Sequence, residues 1–233
     1  MALCRADFLR AGHYQKLSSL VEHTFVAHLE STGPRCDSEY VVDVGCGPGH
    51  FLAGVGVSIS ARFGNDTCCI GVDASKEAVR LAARAHPELT CVVADSRQSM
   101  PLVSGNAVCV LNMFAPRNEP EFRRIISTDG MLLIVFPGAG HLSDLVEHLG
   151  LLGLEPEKEA SVVRQMSPSF TQISRQELDY PLELSGSDLV NLIDMGPNYW
   201  HKTDKMRESI NNIKGPTRTR AAFTLIGFAP RVS

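Results

Sequence analysis

The sequence predicts an α/β protein built on a doubly wound, mainly parallel sheet, and three observations predict it. Short apolar runs of buried-strand type alternate with stretches of helical periodicity from residue 40 onward. The first run passes straight into a glycine-rich turn, Gly45-Cys46-Gly47-Pro48-Gly49, and then into a helical stretch. The second run ends in an acid, Asp73, 30 residues after Asp43, which sits near the end of the first.

Each element can be justified in order. Residues 5–30 place Leu9, Leu17, Leu20, Val21, Phe25 and Leu29 at near-helical spacing, interrupted at Ala11-Gly12-His13-Tyr14, which predicts two helices and a bend. Residues 31–38, with Gly33, Pro34, Cys36 and Asp37, read as a loop. Residues 40–44 and 68–73 are short apolar runs, and so predict strands; residues 51–63 predict the helix between them. Residues 74–86 predict a second crossover helix, opened by the N-cap candidate Ser75 and closed near Pro87. Strands are expected at 90–94, 107–112 and 131–136, with a helix at 119–127 between the last two. Strands separated by helices in this way form parallel crossover units.

The C-terminal third changes character. A helix around 142–149 gives way to a polar stretch at 155–159, an extended segment at 169–184, a helical region at 188–213 interrupted by Gly196-Pro197, and an apolar strand at 220–228. This divides the chain into residues 1–35, helices covering a site; 36–150, a ligand-binding core; and 151–233, an elaboration on the substrate side that carries the last strands of the sheet.

Composition narrows the function classes. The 233 residues include 22 Lys and Arg against 26 Asp and Glu, a net charge of −4, with 44% hydrophobic and 21% charged residues. That is globular composition, and the length suffices for a core without staples. Seven cysteines form no CxxC pair, so neither a disulfide framework nor a zinc ribbon is expected. No apolar run approaches the ~18–20 residues that span a bilayer, and no signal-peptide stretch follows Met1. A soluble cytoplasmic protein is expected. The acidic balance argues against binding nucleic acid by charge alone, although residues 201–233 are net +5.

The chemistry is carried by the glycine turn. Alternate glycines let the backbone turn tightly at a strand end and let a ligand approach where a side chain would collide. The spacing differs from GxGxxG and from GxxxxGK[ST], and no Lys follows, so a triphosphate cradle is not expected. Such a turn also serves as a plain strand-to-helix connection, and Asp73 and Asp95 alone read equally well as a helix cap and a turn former. Their succession favours a ligand: an acid at the edge of the second strand suits both hydroxyls of a ribose, and Asp95-Ser96 at the end of the third suits an adenine amine.

Asp43 to Gly49, Gly71-Val72-Asp73 and Val93-Ala94-Asp95-Ser96 resemble successive motifs of class I S-adenosylmethionine-dependent methyltransferases, a Rossmann-like fold of seven strands with the last antiparallel. Further segments, Phe8 to Gln15, Met113-Phe114-Ala115-Pro116, Pro137 to Leu142, and Met195-Gly196-Pro197 with Tyr199-Trp200, resemble the bacterial ribosomal RNA guanine-N1 methyltransferases of the RlmA type. The resemblance implies S-adenosyl-L-methionine as cofactor, with the glycine turn at its methionine part, Asp73 at the ribose and Asp95 with Ser96 at the adenine. The full set it implies is Tyr14, Asp43, Gly45, Cys46, Gly47, Pro48, Gly49, Asp73, Ala74, Asp95, Ser96, Asn112 and His141.

That family begins with a small zinc-binding domain, to which nothing here corresponds. The chain is then either a piece of a longer protein or a relative acting on a smaller acceptor. No metal ligand set is expected. No catalytic residue is assigned, because a sulfonium brings its own leaving group and positioning is the main task. Trp200 beside Tyr199 is a candidate stacking group or simply lobe packing; Lys202, Lys205, Arg218 and Arg220 are candidate phosphate contacts or a solvated face. Three readings stand: methylation of a guanine nitrogen in large-subunit rRNA, methylation of a small molecule, and a non-catalytic cofactor-binding subunit.

Overall fold

The computed structural model describes residues 1–32, 39–64, 67–151, 157–196, 199, 210 and 215–231. Trp200, Lys202 and Lys205, the loop at 33–38 and nearly all of the helical stretch expected beyond Gly196 lie outside the described residues.

In chain order the elements are α1 (Ala2–Arg10), α2 (Gln15–Thr32), β1 (Tyr40–Val44), α3 (His50–Phe63), β2 (Cys68–Asp73), α4 (Lys76–Ala85), β3 (Thr90–Val93), β4 (Ala107–Met113), α5 (Glu119–Ile125), β5 (Ile126–Pro137), α6 (Ser143–Leu149), α7 (Lys158–Met166), β6 (Phe170–Leu184), α8 (Gly186–Asp194) and β7 (Thr217–Pro230). The seven strands form one sheet in the order β3-β2-β1-β4-β5-β7-β6. β1 to β5 are parallel, and β7 runs antiparallel to both β5 and β6.

β1 and β4 are buried along their whole length, as central parallel strands covered on both faces must be. Alternation splits the core in two. One face carries Val41, Leu111, Leu133 and Phe223 against Phe8, Leu17, Phe25, Leu52 and Ile59 of α1 to α3. The other carries Val42, Val110, Ile134 and Ile226 against Phe122 and Ile125 of α5 and Val162 and Met166 of α7. The expected cap is present: the Ala78 N–H donates to Ser75 Oγ at 3.3 Å. β6 is an edge strand and dresses its exposed side with charge, Arg175 pairing with Glu159 and Glu177.

Several elements differ from expectation, α2 among them, which runs to Thr32 into the expected loop. α7 occupies part of the segment read as merely polar; only Val162 and Met166 are buried in it, too sparse a stripe to register as periodic. β5 begins at Ile126, five residues early, because Ser127, Thr128, Asp129 and Gly130 interrupt the apolar run while the backbone stays extended. The helix expected at 119–127 accordingly stops at Ile125.

Candidate active site

The order β2-β1-β4 contains the reversal of winding, between β1 and β4, where open α/β sheets bind ligands beyond their carboxyl ends. A cavity of about 290 Å³ opens there. Tyr14, Asp43, Gly45, Cys46, Pro48 and His141, six of the residues singled out above, line it.

The loop is shaped by close approach. Gly45 has φ +88°, and a Cβ on it would lie 2.3 Å from that of Ala115, so the first glycine has no side-chain alternative. Gly47 (φ +54°) faces open space bounded only by the Arg5 side chain. Its N–H donates to Asp73 Oδ2 at 2.9 Å, while the Ser75 N–H donates to Asp73 Oδ1 at 2.8 Å. Asp73 therefore joins the glycine loop to the start of α4 and stands beside the cavity rather than in its wall. Gly49 leads into α3, and Ala74 lies between Asp73 and the cap.

Asp43 is 1% exposed, and its Oδ1 has no hydrogen-bond partner among the described residues. Burial first, and the nearby Asp73 second, push its carboxyl up to about 8, against the pull of Arg5. Burial likewise raises the Cys46 thiol, which excludes a thiolate nucleophile there. Tyr14 is held edge-on between the rings of Phe8 and Phe223, at 5.0 and 4.9 Å. The preceding turn is anchored by the Tyr180 hydroxyl, which donates to the His13 carbonyl at 2.8 Å, and by His13 Nε2, 3.1 Å from Asp188 Oδ2. Burial lowers His141 to about 4, and its Nδ1 accepts the Ala222 N–H at 3.2 Å, which leaves the proton of the neutral ring on Nε2.

Asn112 is fully buried between strands: its Nδ2 donates to the carbonyls of Val44 (3.0 Å) and Pro116 (3.1 Å). It fixes the turn after β4, where Phe114 takes φ +54°, a rare conformation for a bulky residue, on the cavity wall. Asp95 and Ser96 lie past the end of β3; Asp95 is held by Arg97 (3.0 Å), which keeps its carboxyl below the usual range, and the Ser96 carbonyl accepts from Asn118. Arg5, Phe114 and Met195 are wall residues that sequence reasoning did not assign. Among the described residues no group of three or more His, Cys, Asp or Glu could hold a metal ion. Arg218 and Arg220, the two described phosphate candidates, pair with Glu183 and Asp179 of β6.

The 23S rRNA (guanine(748)-N(1))-methyltransferase of Streptomyces fradiae is 38% identical over 216 residues, covering 92% of this chain and 74% of that protein. The chain belongs to the 23S rRNA guanine-N1 methyltransferase family. A provisionally named member from Micromonospora griseorubida is 35% identical over 240 residues, covering 99% of this chain and 79% of that protein. No family model matches the chain. Among solved structures, YcgJ of Bacillus subtilis superposes with a TM-score of 0.55 at 19% identity, covering 91% of this chain and 99% of YcgJ. The geranyl diphosphate C-methyltransferase of Streptomyces coelicolor, solved with S-adenosyl-L-homocysteine, gives 0.52 at 16% identity, covering 93% and 82%. These likenesses show the fold, that of class I methyltransferases. In this chain the segment from Phe8 to Gln15 joins α1 to α2, and its Leu9 and Tyr14 line the cavity.

Proposed function

We propose that this protein transfers a methyl group from S-adenosyl-L-methionine to a guanine nitrogen of large-subunit rRNA. The observation that carries the reading is the cavity wall at the switch point, in a chain of this family: an open glycine loop next to Asp43, whose buried Oδ1 lacks a partner among the described residues. A cationic amine would satisfy that oxygen, and the methionine end of the cofactor offers one.

In this reading Tyr14, Asp43, Gly45, Cys46, Gly47, Pro48 and Gly49 enclose the methionine part, with His141 beside it. Asp73 and Ala74 take the ribose, Asp95 and Ser96 the adenine, and Asn112 supports the floor. Bound, the cofactor supplies an activated methyl group on a sulfonium that is its own leaving group. The chain's share is orientation and exclusion of water. The Asn112 bonds fix the turn that puts Met113 and Phe114 on the cavity wall, and the neutral His141 ring offers a donor at Nε2 but no free lone pair at Nδ1. Residues 1–35 cover the cofactor, 36–150 bind it and 151–233 form the acceptor side. The reaction belongs in the cytoplasm, and among the described residues no helix is long and apolar enough to cross a membrane.

The test is transfer of labelled methyl groups into RNA and, separately, into a small-molecule extract, both from cells lacking the gene, followed by mapping of any labelled nucleotide. Label at a large-subunit guanine supports the reading. Label only in a small-molecule extract supports a second reading, methylation of a small acceptor, which the ion pairing of Arg218 and Arg220 favours.

A further inference from the structure

Arg5 lies on α1 but reaches into the wall that Asp43, Gly45, Cys46 and Pro48 form. Its side chain arches over the loop: a Cβ placed on Gly47 would stand 3.4 Å from Arg5 Cδ and 3.5 Å from Nη1. The guanidinium has five N–H donors. Among the described residues it makes one hydrogen bond, from Nη2 to the Met195 carbonyl at 2.9 Å, and no salt bridge. Burial lowers the Arg5 pKa, and the fields of Asp73, Tyr14 and Asp43 oppose that shift without cancelling it. Asp73 already serves two backbone N–H groups. A half-buried cation in a cavity wall, with most of its fork unspent among the described residues, is placed to take an anion in the cavity.

The wall thus presents one carboxyl with an unpartnered oxygen and one guanidinium with unspent donors, on either side of a loop that a ligand can approach closely. That pair complements a free α-amino acid group, one ammonium and one carboxylate on a single carbon. Resting on the cofactor reading above, we infer that Arg5 binds the α-carboxylate of the cofactor's methionine end and is a determinant of cofactor specificity. The bond from Arg5 to Met195, the C-cap of α8, brings a second element to this contact. An anion on Arg5 would thus share one side chain with α1, the glycine loop and the end of α8.

The test compares S-adenosylmethionine with its decarboxylated analogue, which keeps adenosine, sulfonium and amine, by titration calorimetry on the full chain. Wild type is expected to prefer the carboxylated cofactor at least tenfold. Arg5→Gln is expected to lose more than tenfold for the carboxylated cofactor, to change less than threefold for the analogue, and so to erase the preference. Arg5→Lys should restore part of it. Equal, tight binding of both compounds by wild type overturns this inference and leaves the cofactor reading standing; this comparison needs no variant to fold. Equal weakening of both compounds by Arg5→Gln also overturns it, since Arg5 would then only pin α1 to α8. Binding of neither by wild type overturns the cofactor reading and this inference with it.

Discussion

The backbone N–H of Gly47 donates to Asp73 Oδ2 at 2.9 Å, so the acid that ends β2 holds the loop that follows β1. The two strands are neighbours in register, Asp43 opposite Gly71 and Val44 opposite Val72. With the Gly45 and Cys46 N–H groups, which donate to the Val72 carbonyl at 2.8 and 3.1 Å, this bond carries the geometry of the strand pair into the loop.

Asp73 therefore has a task in the free protein besides any ribose contact. Asp73→Ala removes the acceptor for two backbone donors, each bond to a charged group contributing ~1.5–3 kcal/mol. The melting temperature of the free protein should fall, and cofactor affinity should fall more than tenfold by calorimetry. Asp73→Asn, which keeps one acceptor oxygen, should recover part of the melting temperature. An affinity change below threefold for Asp73→Ala would confine the residue to the loop and the α4 start.

Asp43 makes the cavity sensitive to pH. Its folded pKa of about 8 lies above the ~3.9 of an unperturbed Asp. Between these values the unfolded chain binds fewer protons than the folded one, so the Asp43 contribution lowers stability as pH rises from about 4 to about 8. Asp43→Asn should flatten that part of the stability profile and raise the melting temperature of the free protein at pH 8. Binding of a cationic amine requires the ionised form, so wild-type affinity for the cofactor should rise with pH up to about 8, with release of a proton visible as buffer-dependent binding heat. A pH-independent affinity would remove Asp43 from the amine site.

Gly47→Val places a β-branched residue at φ +54°, at a cost of roughly 1–2 kcal/mol, and presses its branches on Arg5. The sheet lies behind this position. Circular dichroism should stay native, the melting temperature should drop by a few degrees, and cofactor binding should be lost. Retained binding would show that the loop is not the cofactor seat.

The double variant Arg218→Ala with Arg220→Ala should leave the salt dependence of RNA binding almost unchanged, because both side chains are engaged across β6 and β7. Two phosphate contacts would flatten a plot of log affinity against log salt by about two units. A change of that size would mean that both arginines leave their partners for RNA.

How much was legible follows the physics of each element. β1 and β2 were readable to the residue because each is a mostly apolar run that stops where the chain must turn. The edge strand β6 was readable as extended, but nothing in its composition says that β7 inserts beside it. The Asp43 carboxyl and the loop were visible through spacing. Arg5 was not, since an arginine in a first turn reads as a solvated charge, and only tertiary packing against the loop and α8 turns it inward. The positive φ of Phe114 was equally hidden: strain at a non-glycine residue leaves no mark in composition.

Seventh in sequence, β7 nonetheless lies between β5 and β6, and its Phe223 packs on Tyr14 and His141 at 4.9 Å each. On the ribosome this order has a cost. While residues 217–230 are still unmade, the nascent chain carries β5 as an open sheet edge and β6 without its strand partner, a state that invites wrong pairing. A frameshift at residue 216, which removes β7 alone, should therefore appear in cells as insoluble protein rather than as a weak enzyme.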